Sequence, residues 1–153
     1  LAFLKGLVSQ KELLNYAFIK KTLQFDNLLY IGLRDIDPFE KEIISKRNIS
    51  VITVNELEND FHGSIAKIEK FISDSEIHIS FDVDALDPIF FPCTGTTCKD
   101  GIKLNTARDL INILARKKII NIDITEINLE IGDKTQKIDS LYNLFFIFNK
   151  FID

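Results

Sequence analysis

The chain has 153 residues, 46% apolar and 27% charged, with a formal net charge of −4. That balance belongs to a soluble globular domain, and this length can bury roughly 68–70% of its unfolded surface, enough for one core. The acidic surplus provides no basic stripe for nucleic acid or an anionic membrane, and the most apolar stretch, residues 141–152, is broken by Asn143, Asn149 and Lys150 and is too short to span a bilayer.

In chain order, Ser9-Gln10-Lys11-Glu12 has the pattern of a capping box and predicts a helix to about Leu23. The apolar run 28–33, which contains Gly32, predicts a buried strand ended by Arg34-Asp35-Ile36-Asp37-Pro38. Pro38 suits the first turn of a helix over 39–46. A second strand is expected over 49–54, and Asn59 or Asp60 can cap a helix through Phe71 and Ile72. The third strand covers 77–82 and is followed by a long loop, 83–103. Thr106-Ala107-Arg108-Asp109 is another capping pattern, opening a helix to about Ala115. A fourth strand is expected over 119–124 and a last helix over 138–151. On that helix Leu141, Leu144, Phe145, Phe148 and Phe151 make one apolar stripe, which a packing face explains.

Strand and helix alternate, and the strands are nearly all apolar. The expected fold class is therefore α/β, a single domain with a mostly parallel sheet between helical layers, α/β/α. Ligands in such sheets gather beyond the carboxyl ends of the strands. Asp35 and Asp37 end the first strand, Asp82 and Asp84 the third, and Glu126 the fourth. Asp82 and Asp84 point the same way if the extended geometry persists. Crowded carboxylates at a sheet rim repel and lose hydration, and a hard divalent cation offsets that cost. The alternative is a pair of turn aspartates, with Asp87-Pro88 closing an ordinary loop.

The two histidines do not extend this set. His78 shares a face with Asp82 but lies roughly 13 Å along the strand, and is read as a hydrogen-bonded sheet residue. His62 falls near a helix start and is expected in solvent. Cys93 and Cys98 are expected as free thiols in a reducing, cytoplasmic setting, since no secretory signal is evident and a zinc site would need two further ligands. The sequence contains no methionine, which predicts a piece of a longer protein.

At these residues the chain resembles the arginases of the ureohydrolase group. His78-Ile79-Ser80-Phe81-Asp82-Val83-Asp84-Ala85-Leu86-Asp87-Pro88 is similar to the family's second metal-binding motif, followed by Pro92-Cys93-Thr94-Gly95-Thr96. Asp123-Ile124-Thr125-Glu126-Ile127-Asn128 resembles the late strand-end motif. Tyr30-Ile31-Gly32-Leu33-Arg34-Asp35-Ile36-Asp37-Pro38 is similar to the segment that arginases use at the substrate's amino-acid end, a form not expected of agmatinases.

The resemblance implies an arginase/deacetylase-like fold, incomplete here, and two Mn2+ per active site. Asp82 would bridge both ions and Asp84 would complete one, with hydroxide between them attacking the guanidinium carbon of L-arginine to give L-ornithine and urea. Glu126 would hold the guanidinium, Thr96 would lie beside it, and Asp37, assisted by Glu40, would meet the α-amino end. Asp37 can also serve as an N-cap, and Asp35 is read as structural, paired with Arg34 or a neighbour. A homotrimer is implied for the full-length form.

The family's Gly-Gly-Asp-His and Asp-Ala-His-x-Asp segments are absent from the sequence, as are the asparagine, serine and histidine that serve the substrate. The chain is thus expected to be the carboxyl-terminal part of one such domain and inactive alone. Thr97 replaces an expected proline, and Cys98-Lys99-Asp100-Gly101 replaces a glycine-paired turn, which leaves the 97–106 loop open. Two other readings stand: an agmatinase or another ureohydrolase, and a non-catalytic scaffold or regulator.

Overall fold

The computed structural model describes residues 23–152. The predicted helix over 9–23 lies outside the described residues. The described residues divide into two compact units, residues 23–30 with 36–51, and residues 31–35 with 52–152.

In the first unit a 3-10 turn, Phe25–Asn27, precedes strand β1 (Leu29–Leu33), whose first residues belong here. The Arg47 guanidinium sits 5.3 Å from the centre of the Phe25 ring. Helix α1 (Pro38–Lys46) starts on a complete capping box. Glu40 N donates to Asp37 Oδ1 at 2.9 Å and Asp37 N donates to Glu40 Oε2 at 3.2 Å. Strand β2 (Ser50–Thr53) pairs with β1.

The second unit contains most of the core. The expected strand over 49–54 is cut short, because Thr53 and Glu56 form a capping box and start a helix not anticipated from the sequence, α2 (Val54–Asn59). Asp60 then caps α3 (Phe61–Ile72) by accepting from Gly63 N at 2.9 Å, as expected. His62 is exposed on its first turn. Strand β3 (Ile77–Asp82) runs parallel to β4 (Ile119–Thr125), with Phe81 opposite Ile124 and Asp82 opposite Thr125.

Between those strands lies α4 (Leu104–Leu114), which buries Ala107, Leu110, Ile111 and Leu114. That spacing is one helical face, and packing sets its start. The predicted Thr106 capping box does not form: the cap is Lys103, without a side-chain bond, and Thr106 lies inside the helix. The last helix, α5 (Lys134–Phe148), starts earlier than expected on an Asp133–Gln136 capping box and ends in a 3-10 turn, Asn149–Phe151. Phe148 stacks edge-on against Phe81, 5.1 Å between ring centres, so α5 covers one face of the β3–β4 pair. Arg108 of α4 lies over Phe146 of α5 at 4.9 Å and pairs with Asp109.

The opposite face of β3–β4 is polar rather than part of a continuous apolar run. His78 Nε2 lies 2.7 Å from Asp123 Oδ2, and Asn121 donates to Asp123 Oδ1 at 2.9 Å. His78 is therefore the hydrogen-bonded sheet residue the sequence suggested. Its contact is the main reason the Asp123 carboxyl is held below the ordinary carboxylate range. Ile52, Leu57, Ile68, Leu86, Phe91 and Ile147 are among the fully buried side chains. Among the described residues no helix is long and apolar enough to cross a membrane.

Candidate functional site

Because β3 and β4 are parallel and in register at Asp82 and Thr125, their carboxyl ends reach one rim together. Asp82 is the last residue of β3 and also caps the 3-10 turn Val83–Ala85, with Oδ1 accepting from Asp84 N at 3.2 Å. The tight turn keeps the two carboxylates close enough to interact. Val83 between them is fully buried, which anchors the turn to the core.

Asp84 registers the consequence. Its pKa is pushed up from 3.8 to about 6, first by burial, then by the Asp82 carboxylate and their hydrogen bond, and further by Glu126, against the opposing pull of Arg34. Asp82, Asp84 and Glu126 therefore share one electrostatic neighbourhood. Of the strand-end acids the sequence suggested would converge, those of β3 and β4 share this neighbourhood; Asp35 and Asp37 are exposed.

Glu126 follows β4 directly and has a left-handed backbone, φ +64. Glutamate has no intrinsic preference for that region, so the surrounding loop must hold it there. One tie is visible: Asn128 N donates to the carbonyl of Cys93 at 2.9 Å. That bond joins the Glu126 loop to the Cys93-Thr94-Gly95-Thr96 segment. Thr96 itself is exposed in that segment. Cys93 is a buried free thiol and Cys98 a half-buried one.

The loop after Asp84, left open by the sequence, is pinned at several points. Asp87 N donates to the carbonyl of Ile102 at 3.1 Å, and Ile102 N to that of Ala85 at 2.9 Å. The Asp87 carboxylate accepts from Ile89 N and from Gly101 N at 3.1 and 3.3 Å. A Cβ on Gly101 would stand 2.4 Å from the Asp87 nitrogen and the Leu86 carbonyl carbon, so only glycine lets the two strands of the loop approach.

The sequence offered Asp35 a partner in Arg34 or a neighbour, and the structure directs Arg34 elsewhere. Its guanidinium donates to the carbonyls of Asp84, Cys98 and Ala85 at 2.6, 3.0 and 3.3 Å. Main-chain acceptors leave no signature in a sequence, so this role was not visible there. Asp35 is exposed. Asp37 and Glu40, in the first unit, are exposed and engaged with each other in the α1 capping box.

The donor chemistry of Asp82 and Asp84 fits a hard divalent cation: two carboxylates, one partly desolvated, whose mutual repulsion such an ion would relieve. The set is partial. Among the described residues no group of three or more His, Cys, Asp or Glu side chains could hold a metal ion.

Comparison with known proteins identifies the family. The model of the arginase family matches residues 7–141. An arginase of Neurospora crassa is 34% identical over 134 residues, covering 83% of this chain and 37% of the relative. An arginase of Plasmodium falciparum is 37% identical over 126 residues, covering 78% of this chain and 31% of the relative. The chain thus spans well under half the length of these curated relatives. Among solved structures, Entamoeba histolytica arginase in complex with L-ornithine superposes with a TM-score of 0.83 at 27% identity, covering 96% of this chain and 50% of that one. A hypothetical agmatinase from Burkholderia thailandensis shares the fold, with a TM-score of 0.69 at 18% identity, over 88% of this chain and 40% of that one. With the family model matched over residues 7–141 and arginases similar over most of its length, the chain belongs to the arginase family.

Proposed function

We propose that these residues form the carboxyl-terminal part of a single arginase domain, and that the native polypeptide is a manganese-dependent arginase hydrolysing L-arginine to L-ornithine and urea. The observation that carries this reading is the shared neighbourhood of Asp82, Asp84 and Glu126 in a chain of that family. Activation of water at neutral pH is the chemistry that two such ions supply when bound. Asp82 and Asp84 would hold the ions. Glu126 grips the guanidinium by a charge-assisted pair, which fixes the reacting carbon and leaves little motion to lose at the transition state. Thr96 lies beside that group. Asp37 and Glu40 are assigned, on their motif, to the α-amino end of the substrate. An acidic pocket suits a substrate with a cation at each end.

Because the described residues offer only part of a metal shell, the 153 residues alone are inactive in this reading. The same partial shell is the observation that favours a second reading, a non-catalytic homologue acting as a scaffold or regulator. A homotrimer in the cytoplasm, with no nucleic-acid or membrane partner, completes the proposal.

The test is urea release by the manganese-loaded native polypeptide from L-arginine and from agmatine. Arginine is expected to be the better substrate, and preference for agmatine would reject the assignment. Asp82→Ala should abolish manganese binding and turnover together. Glu126→Gln should keep the metal content and lose about 2–4 kcal/mol of transition-state stabilisation in kcat/KM. Equal loss of metal in both variants would overturn the division of roles.

A further inference from the structure

Arg34 directly follows β1 and is half-buried, yet among the described residues it pairs with no carboxylate at hydrogen-bond distance. It spends its fork on three main-chain oxygens, 50, 51 and 64 residues away in sequence. Two of these belong to the turn that follows Asp82, and the third to the far arm of the loop, next to the Asp87–Gly101 and Ala85–Ile102 ties. The Arg34 Nε is buried without a partner among the described residues, so the two terminal nitrogens alone hold the group. A planar guanidinium can bond diverging carbonyls at once, which a lysine ammonium on a flexible stem does poorly.

We propose that Arg34 is a positioning residue for the acidic rim: by clamping the carbonyls of Asp84, Ala85 and Cys98, it sets the path of the turn and so the aim of the carboxylates at 82 and 84 toward a divalent cation. The proposal rests on the metal-binding reading above but not on the identity of the substrate. Gly32 shows how β1 is shaped to deliver this side chain. It is buried with φ +81, and a Cβ there would press into Ile102 Cδ1 at 2.5 Å. β1 is thereby brought close against the arm of the loop that Arg34 secures.

The experiment is calorimetric titration of Mn2+ into the native polypeptide, unmutated and as Arg34→Lys, with amide hydrogen exchange followed before metal is added. Arg34→Lys keeps the charge and loses the fork. It is expected to raise the manganese dissociation constant about ten-fold, the usual cost of removing an outer partner of a metal ligand. Exchange should quicken at residues 84–87 and 98–102. A variant with a lower unfolding midpoint but unaltered manganese affinity would make Arg34 merely structural and overturn the proposal. Unmutated protein that binds manganese yet releases no urea would end the arginase reading, while the affinity comparison would still decide the role of Arg34. Unmutated protein that binds no manganese would overturn the proposal. If Arg34→Lys does not fold, a crystal structure of the unmutated manganese complex decides: bonds from Arg34 to the Asp84 and Cys98 carbonyls support the clamp, and their absence removes it.

Discussion

Asp84 sits where two unfavourable effects meet, burial and a like charge, and its pKa of about 6 against an ordinary 3.8 makes it a sensor of both. Between those two values the folded protein retains a proton that the unfolded chain has released. Stability therefore falls as pH rises through that interval and is level on either side. Other carboxylates impose slopes of their own, so the useful quantity is a difference: in urea unfolding of metal-free protein, Asp84→Asn should gain on the unmutated protein as pH climbs. Saturating Mn2+ should cancel the gain, because a bound cation favours the ionised carboxylate. A difference that stays constant with pH would show that Asp84 is not desolvated. At the same scale, the sequence disclosed the identity of the rim acids through their positions at strand ends. It could not disclose the left-handed backbone of Glu126, since nothing about glutamate signals φ +64.

Elements bounded by strong local chemistry were readable and those bounded by packing were not. The α1 start at Asp37-Pro38 and the α3 start at Asp60 follow from capping side chains. The α2 box, Thr53 to Glu56, was equally present in the sequence but hidden by the apolar run of β2, which seemed to continue through Val54. Thr106 matched a capping pattern and caps nothing, because the helix has already begun at Leu104. The 83–103 loop was the hardest segment: its order comes from main-chain bonds and from the one residue that lets them form. Gly101→Ala should destabilise the protein by about 2 kcal/mol or more, since the added methyl meets backbone that cannot swing aside. Asp133→Ala, removing the α5 cap, should cost about 1 kcal/mol and provides the comparison. Guanidinium unfolding midpoints of the two variants rank them, and a milder effect for Gly101→Ala would mean that the loop yields.

For the molecule as a whole, the α/β class and the parallel pairing of β3 with β4 were readable from alternation and apolar runs, whereas the surface left by the 153 residues was not. Ile120 is 64% exposed, Phe145 60% and Tyr142 69%, all in the second unit. Ile122, Ile124, Leu144, Phe145, Phe148, Phe151 and Ile152 line an apolar groove nearby. Exposed apolar area of that kind drives association. Expressed alone, the 153-residue chain should bind a hydrophobic dye and sediment as a concentration-dependent mixture. A dye-silent monomer at all concentrations would contradict the exposure described.

The three oxygens that Arg34 grips belong to the peptide bonds of residues 84, 85 and 98, not to their side chains. Ala85 and Cys98 are thus free to vary without loosening the moorings of the loop. Mutational libraries aimed at this loop could diversify those two positions while Arg34 stays untouched, much as a tent can change its fabric on the same pegs.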